Sequence, residues 1–181
     1  MPKEEVITKL VPVFRLYGYE GATVSRLSEA TGLKKASLYH HFQGGKEQMA
    51  EAVLEYVGNW IEEHIFLPLR SPKPVPERLA AMIDGIDQFY ESGQSPCVLA
   101  VMSLGEAHNL FHQQLENSLH KWLDTLSTVV ESTGVDPKEA RLRAEDAMML
   151  IQGALVLVRV TNDTQPFKRA IAKLPKILLD D

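Results

Sequence analysis

Apolar positions recur at intervals of three and four along nearly the whole chain, and no stretch alternates β-branched with polar residues as a strand does. The pattern predicts helices only. The first runs from Lys3 to Tyr17, with Ile7, Leu10, Val11 and Phe14 inward and Pro12 inside it as a bend or distorted turn. Gly18 and Gly21 break it. A second runs from Val24 to Thr31 behind a Thr23 cap, and a third from Lys34 to Phe42, closed by Gly44-Gly45. The fourth starts near Lys46 and carries Met49, Val53, Tyr56, Trp60 and His64 on one stripe. Pro68, Pro72, Pro74 and Pro76 then interrupt the pattern. Five further helices are expected: Glu77–Ser92, Pro96–Ala107, Phe111–Thr133, Pro137–Thr161 and Pro166–Leu178. The expectation is an all-α chain of about nine helices. A head over residues 1–50 precedes a larger body over 51–181, and the fourth helix links them.

With 45% hydrophobic residues in 181, the chain has enough apolar surface to build a core. The formal net charge of −5 is unevenly spread: residues 1–50 hold seven Lys and Arg against five Glu, a balance of +2, which leaves −7 for the rest. An acidic body excludes a protein that coats nucleic acid along its whole length, and points a polyanion at the head alone. The single cysteine, Cys97, permits no intramolecular disulfide and favours a reducing compartment. The first ten residues carry no apolar signal core. The longest apolar run, Ala147 to Val158, is too short to span a bilayer and contains Gln152. A cytoplasmic protein without a membrane partner is expected.

The second and third helices and the Gly32 turn between them read as a helix-turn-helix. Leu27, Ala30, Leu33 and Leu38 are spaced to pack the two helices together. That leaves Lys34, Lys35, Ser37, Tyr39 and His40 facing outward, where a recognition helix meets a major groove. Lysine suits guanine acceptors or phosphates, serine suits either, and Ala36 is small enough to approach a thymine methyl. Tyr39 offers a hydroxyl to a phosphate, while Phe42 reads as core. Thr23 and Lys46 stand at helix starts, which attract phosphate, and Arg26 joins them on the second helix.

The stretch "GYEGATVSRLSEATGLKKASLYHHFQGGKEQM" resembles the DNA-binding head of the TetR family of bacterial transcriptional repressors. Gly18 or Gly21, Thr23, Leu27, Gly32, Leu38, Tyr39, Phe42, Lys46 and Glu47 carry the likeness. The "QGGKEQM" junction, the "TNDTQPF" turn and the closing "AKLPKIL" are similar to its LmrA/QdoR-type branch, which includes YxaF. The resemblance implies a homodimer on a palindromic double-stranded operator. It also implies release by a small effector, of planar aromatic or drug-like kind, bound among the body helices. Met and aromatic residues at helical spacing read first as core, and some of Phe89, Tyr90, Met102, Leu119 and Trp122 are expected to line that pocket as well. "AEDAMMLIQGALVLVRV" is apolar on nearly every face, so one side needs a partner. Gly153, Ala154, Leu155 and Val158, with Ile171 and Leu174 of the last helix, are the expected dimer contacts.

Other chemistry has weaker grounds. Cys97 at a helix start is either a sensing thiol or a small buried hydrophobe; its apolar neighbours favour the latter. His108 and His112, with Glu116 one turn on, could grip a metal only if one helix carried all three. The sequence suggests a helix break there, so no metal is assigned. There is no HExxH, phosphate loop or triad order, hence no catalytic residue, no cofactor and no enzyme.

Overall fold

The computed structural model describes residues 1–179, and among them every regular element is a helix. In order these are α1 (Lys3–Gly21), α2 (Val24–Thr31), α3 (Lys35–His41), α4 (Gly45–Ile61), a π-helical turn (Glu62–Phe66), α5 (Leu67–Leu69), α6 (Val75–Phe89), a 3-10 turn (Glu91–Gly93), α7 (Val98–Met102), α8 (Gly105–Glu131), α9 (Pro137–Thr161) and α10 (Gln165–Leu179). No helix among the described residues is long and apolar enough to cross a membrane. The chain forms two compact units. One comprises Met1–Asn59 with Cys97–Leu115; the other comprises Trp60–Pro96 with the chain from Glu116 onward.

In the first unit α1 packs on α2 and α7. Its buried face is Val6, Leu10, Val13 and Phe14; Ile7 and Val11, expected inward, are half-buried. Leu10 and Phe14 are inward as expected, and Val6 and Val13 take the places of Ile7 and Val11, because all of these are apolar and spacing alone could not rank them. Gly18 takes φ 66°, and a side chain there would press on Val101 of α7 at 3.2 Å. Two positions on, Glu20 caps a distant helix: the Glu106 N–H donates to its carboxylate across 86 residues. A side chain on Gly105, at φ 59°, would strain the backbone and push that carboxylate from its place.

This cap moves a helix boundary. The expected interruption between residues 107 and 111 is absent. α7 ends at Met102, and α8 runs unbroken from Gly105 to Glu131, so the expected helices Pro96–Ala107 and Phe111–Thr133 are corrected accordingly. Accepting the Glu106 N–H holds the Glu20 carboxyl below its ordinary pKa. A carboxylate with a depressed folded-state pKa contributes stability above its unfolded value and loses that contribution as pH falls through the folded one. Glu20→Gln is therefore expected to melt below wild type at neutral pH, with the gap closing in acid. Paired thermal melts across that range check this, and a gap that persists in acid removes the charged cap as its cause.

Along α4 and the π turn the fully inward row is Met49, Val53, Val57, Ile61 and Ile65, while Tyr56, Trp60 and His64 are half-buried. In the second unit α10 packs on α9, on α6 and on the 3-10 turn. Asp136 caps α9 by accepting the Lys138 N–H at 2.9 Å, with Pro137 at the first helical position. Two glycines mark close approaches: a Cβ on Gly85 would lie 2.7 Å from the His64 carbonyl oxygen, and one on Gly93 would lie 2.7 Å from Phe167 Cβ.

Candidate nucleic-acid interface

The helix-turn-helix is wired by short polar side chains. Thr23 Oγ1 accepts the Arg26 N–H at 3.3 Å and starts α2. Gly32 ends it in the left-handed conformation at φ 70°. The Ser28 hydroxyl donates to the Leu33 carbonyl, and the buried Thr31 hydroxyl donates to the Leu27 carbonyl at 2.8 Å. These two side chains hold the turn and were not anticipated. The signal lay in their position just before Gly32, where hydroxyls satisfy carbonyls freed by the helix end. Leu27, Leu38 and Phe42 are fully buried, and Leu33 is half-buried. Ala30, expected in this contact, is exposed; Thr31 takes the inward place.

With Leu38 and Phe42 inward, α3 and its cap Lys34 turn Lys34, Lys35, Ala36, Tyr39 and His40 to solvent, with Ser37 half-buried. Neither lysine has a carboxylate partner among the described residues. Tyr39 is 46% exposed, and its ring edge lies 3.4 Å from where a side chain on Gly45 would sit. One flank of the ring therefore covers the start of α4. The other two expected cations are held within the fold. Arg26 donates from Nη1 to the Gly21 carbonyl at 2.7 Å and lies 4.1 Å from the Tyr17 ring centroid. Lys46 donates to the Tyr19 carbonyl at 3.0 Å, 4.0 Å from the Tyr19 ring centroid. That bond takes one of the three donors of the half-buried Lys46 ammonium and leaves two.

The expected body residues have different surroundings. Phe89 and Tyr90 join a run of aromatic rings: Trp60 to Phe89 at 5.1 Å, Phe89 to Tyr90 at 4.9 Å and Tyr90 to Phe167 at 5.8 Å. Trp122 packs edge-on against Phe66 at 5.3 Å instead. Leu119 is 43% exposed, and Met102 is fully buried in the first unit. Of the expected dimer contacts, Ala154, Leu155, Val158 and Leu174 are buried in the chain's own fold, Ile171 is half-buried, and only Gly153 is open. The apolar face of α9 that its own chain leaves uncovered is Leu142, Met149, Val156, Leu157 and Val160, with Gly153 among them. A groove of about 490 Å³ beside it is lined by Met149, Gly153, Leu157, Arg169 and Lys173 among others. Cys97 is buried. His108 and His112 sit on one unbroken helix with ring centroids 4.7 Å apart, so the expected helix break between them is not there. No group of three metal-ligating side chains forms among the described residues.

The LmrA/YxaF-like C-terminal domain of transcriptional regulators matches residues 76–173, and the N-terminal domain of bacterial regulatory proteins of the tetR family matches residues 10–53. The chain belongs to the TetR family. Its members are DNA-binding transcriptional regulators, not enzymes, and this one has a body of the LmrA/YxaF type. It is similar along its length to the HTH-type transcriptional regulator LmrA of Bacillus subtilis: 22% identical over 180 residues, 97% of this chain and 96% of that one. The similarity to IcaR, the negative transcriptional regulator of the biofilm operon icaADBC in Staphylococcus aureus, is 34% over 62 residues, a third of each chain. A TetR transcriptional regulator from Legionella pneumophila has the same fold, with a TM-score of 0.83 at 20% identity over 98% of this chain and 97% of that one.

Proposed function

We propose that this TetR-family chain is a repressor that binds a palindromic operator as a homodimer and leaves it when a small apolar or aromatic effector binds. Residues 1–50 act as the DNA-binding head and 51–181 as the effector-binding and dimerisation body, in the cytoplasm. The observation that carries the reading is the solvent face at α3, where Lys34, Lys35, Ala36, Tyr39 and His40 stand together, with no carboxylate partner among the described residues, above buried Leu38 and Phe42. A row of cations with no acid to neutralise it suits the DNA backbone. Small and hydrogen-bonding side chains interleaved with them suit base edges. Thr23, Arg26 and Lys46 flank this face, and Ser37 completes it. One head reads too few bases for specificity, so two are required, on successive major grooves about 34–36 Å apart. The uncovered α9 face supplies the second copy: apolar side chains around Gly153, where nothing stands within 4 Å of an added Cβ and a partner helix can come close. The run of rings from Trp60 through Phe89 and Tyr90 to Phe167 is the part of the body best suited to a flat apolar effector. The negative regulator IcaR is similar to this chain over 62 residues, which supports repression over activation.

The test is a mobility-shift series on duplexes tiling the DNA upstream of the chain's own gene. One tile is expected to bind well above the rest, with steep salt dependence. Removing Lys34 or Lys35 should weaken all tiles and lower the salt slope by about one for each phosphate no longer neutralised. Changes at Ser37 or His40 should instead alter which tile is preferred. Equal retardation of every tile by wild type would overturn the reading.

A further inference from the structure

Tyr17 has no evident task in the core. It stands on α1 with 44% of its surface exposed, one turn from Gly21. What its ring touches is a charge: the Arg26 guanidinium, 4.1 Å from the centroid. We infer that Tyr17 is a positioning residue for DNA binding, its ring holding the Arg26 guanidinium so that its free N–H donors meet a backbone phosphate. The inference rests on the assignment of Arg26 to the DNA-facing set.

The geometry is specific. A guanidinium is a flat fork with five N–H donors around its edge and none on its faces. The guanidinium carbon lies over the Tyr17 ring, which holds the charge by a cation–π contact. The Gly21 carbonyl takes one donor, from Nη1 at 2.7 Å. The backbone of the same residue is fixed by its N–H on Thr23 Oγ1. Arg26 has no carboxylate partner among the described residues, so the remaining donors are open in the plane of the fork, the arrangement that grips two phosphate oxygens. An exposed arginine ordinarily samples many rotamers and must be ordered when DNA arrives. Here a ring and a carbonyl order it beforehand. The exposed Lys34 and Lys35 have neither a ring contact nor a hydrogen bond of this kind among the described residues.

The experiment compares wild type, Arg26→Ala, Tyr17→Ala, Tyr17→Phe and the Tyr17→Ala/Arg26→Ala double variant. The probe is a short duplex of unselected sequence, titrated from low salt upward. Thermal unfolding verifies that each variant is folded. Arg26→Ala should lower the salt slope by about one per head. Tyr17→Ala should weaken binding about two- to five-fold per head while keeping the slope, because the phosphate is still reached once the side chain finds it. Tyr17→Phe, which keeps the ring, should bind as wild type. In the Arg26→Ala background Tyr17→Ala should add nothing. A silent Tyr17→Ala beside a weakened Arg26→Ala overturns the positioning role and leaves Arg26 on DNA. An equal effect of Tyr17→Ala in both backgrounds also overturns it, since the ring would then act through something else. A silent Arg26→Ala overturns the inference together with the placement of Arg26 on DNA, and the Lys34 and Lys35 variants then show whether the head binds at all.

Discussion

Aspartate in place of Leu157 is expected to leave the chain folded, to make it monomeric, and to weaken its hold on an operator by about 10²–10⁴-fold, the avidity gained when two linked modules bind together. Leu157 is 53% exposed on α9, next to exposed Val156 and one turn beyond the open Gly153, so the new carboxylate displaces little within its own chain. In a two-fold interface the same position meets the partner's copy of this surface, and two carboxylates buried face to face cannot both stay charged without large cost. The neighbouring substitution separates this from a folding defect. Leu155 is 7% exposed and Val158 is 6% exposed, both within the chain's own core. Aspartate at either is expected to unfold the second unit, because an unpaired charge would be buried in the chain itself. Sedimentation velocity and circular dichroism on the two kinds of variant are sufficient. A Leu157→Asp protein that still sediments as a dimer would place the interface elsewhere.

Gly93→Ala is expected to lower stability by about 2–5 kcal/mol, through backbone strain and overpacking together. Gly93 has φ 92° and follows Glu91 and Ser92, which are also left-handed at φ 49° and 54°. A methyl group there would lie 2.7 Å from Phe167 Cβ and 2.8 Å from its Cγ, and α10 would have to shift to relieve it. For a chain of this size the loss corresponds to a melting point lower by about 5–15 °C. Gly134 is the control. Its φ is 96°, and nothing stands within 4 Å of an added Cβ, so Gly134→Ala carries the strain without the clash. The difference between the two melts isolates the packing of the 3-10 turn against α10, and equal shifts would mean that Phe167 yields freely.

The sequence was most informative where local rules and local contacts coincide. Thr23, Gly32 and Pro137 mark helix ends by chemistry that acts within four residues, and each stands at the helix end its residue type favours. The same holds for Leu38 and Phe42, whose burial presents the opposite side of α3. Legibility fails where the deciding contact is distant. Nothing near Gly105 announces that a helix begins there, because its cap is Glu20, far earlier in the chain. It fails again where both candidate faces are apolar. On α9 the alternatives Leu155 and Leu157 are the same residue type two positions apart, so only packing distinguishes core from free surface. The stripe expected on α4 ends at Trp60 and His64, while the folded chain places Ile61 and Ile65 inward. Arg26 and Lys46 were legible as cations, but the rings and carbonyls that hold them were not.

Glu20 and its neighbours bear on how such a head can be transplanted. Residues 1–50 look like a cassette that could be fused to another body to give a regulator with new inputs. Cutting there would strand three docking groups at once: Gly18 would lose Val101, the Tyr19 ring would lose Phe111, whose centroid is 5.7 Å away, and Glu20 would lose the helix it caps. A chimera that carries Cys97–Leu115 along with the head keeps all three and leaves the joins inside α4, just ahead of α7 and inside α8. Exchange between regulators of this kind is thus a two-segment graft, and an insertion that respects only chain order transplants half of a folded object.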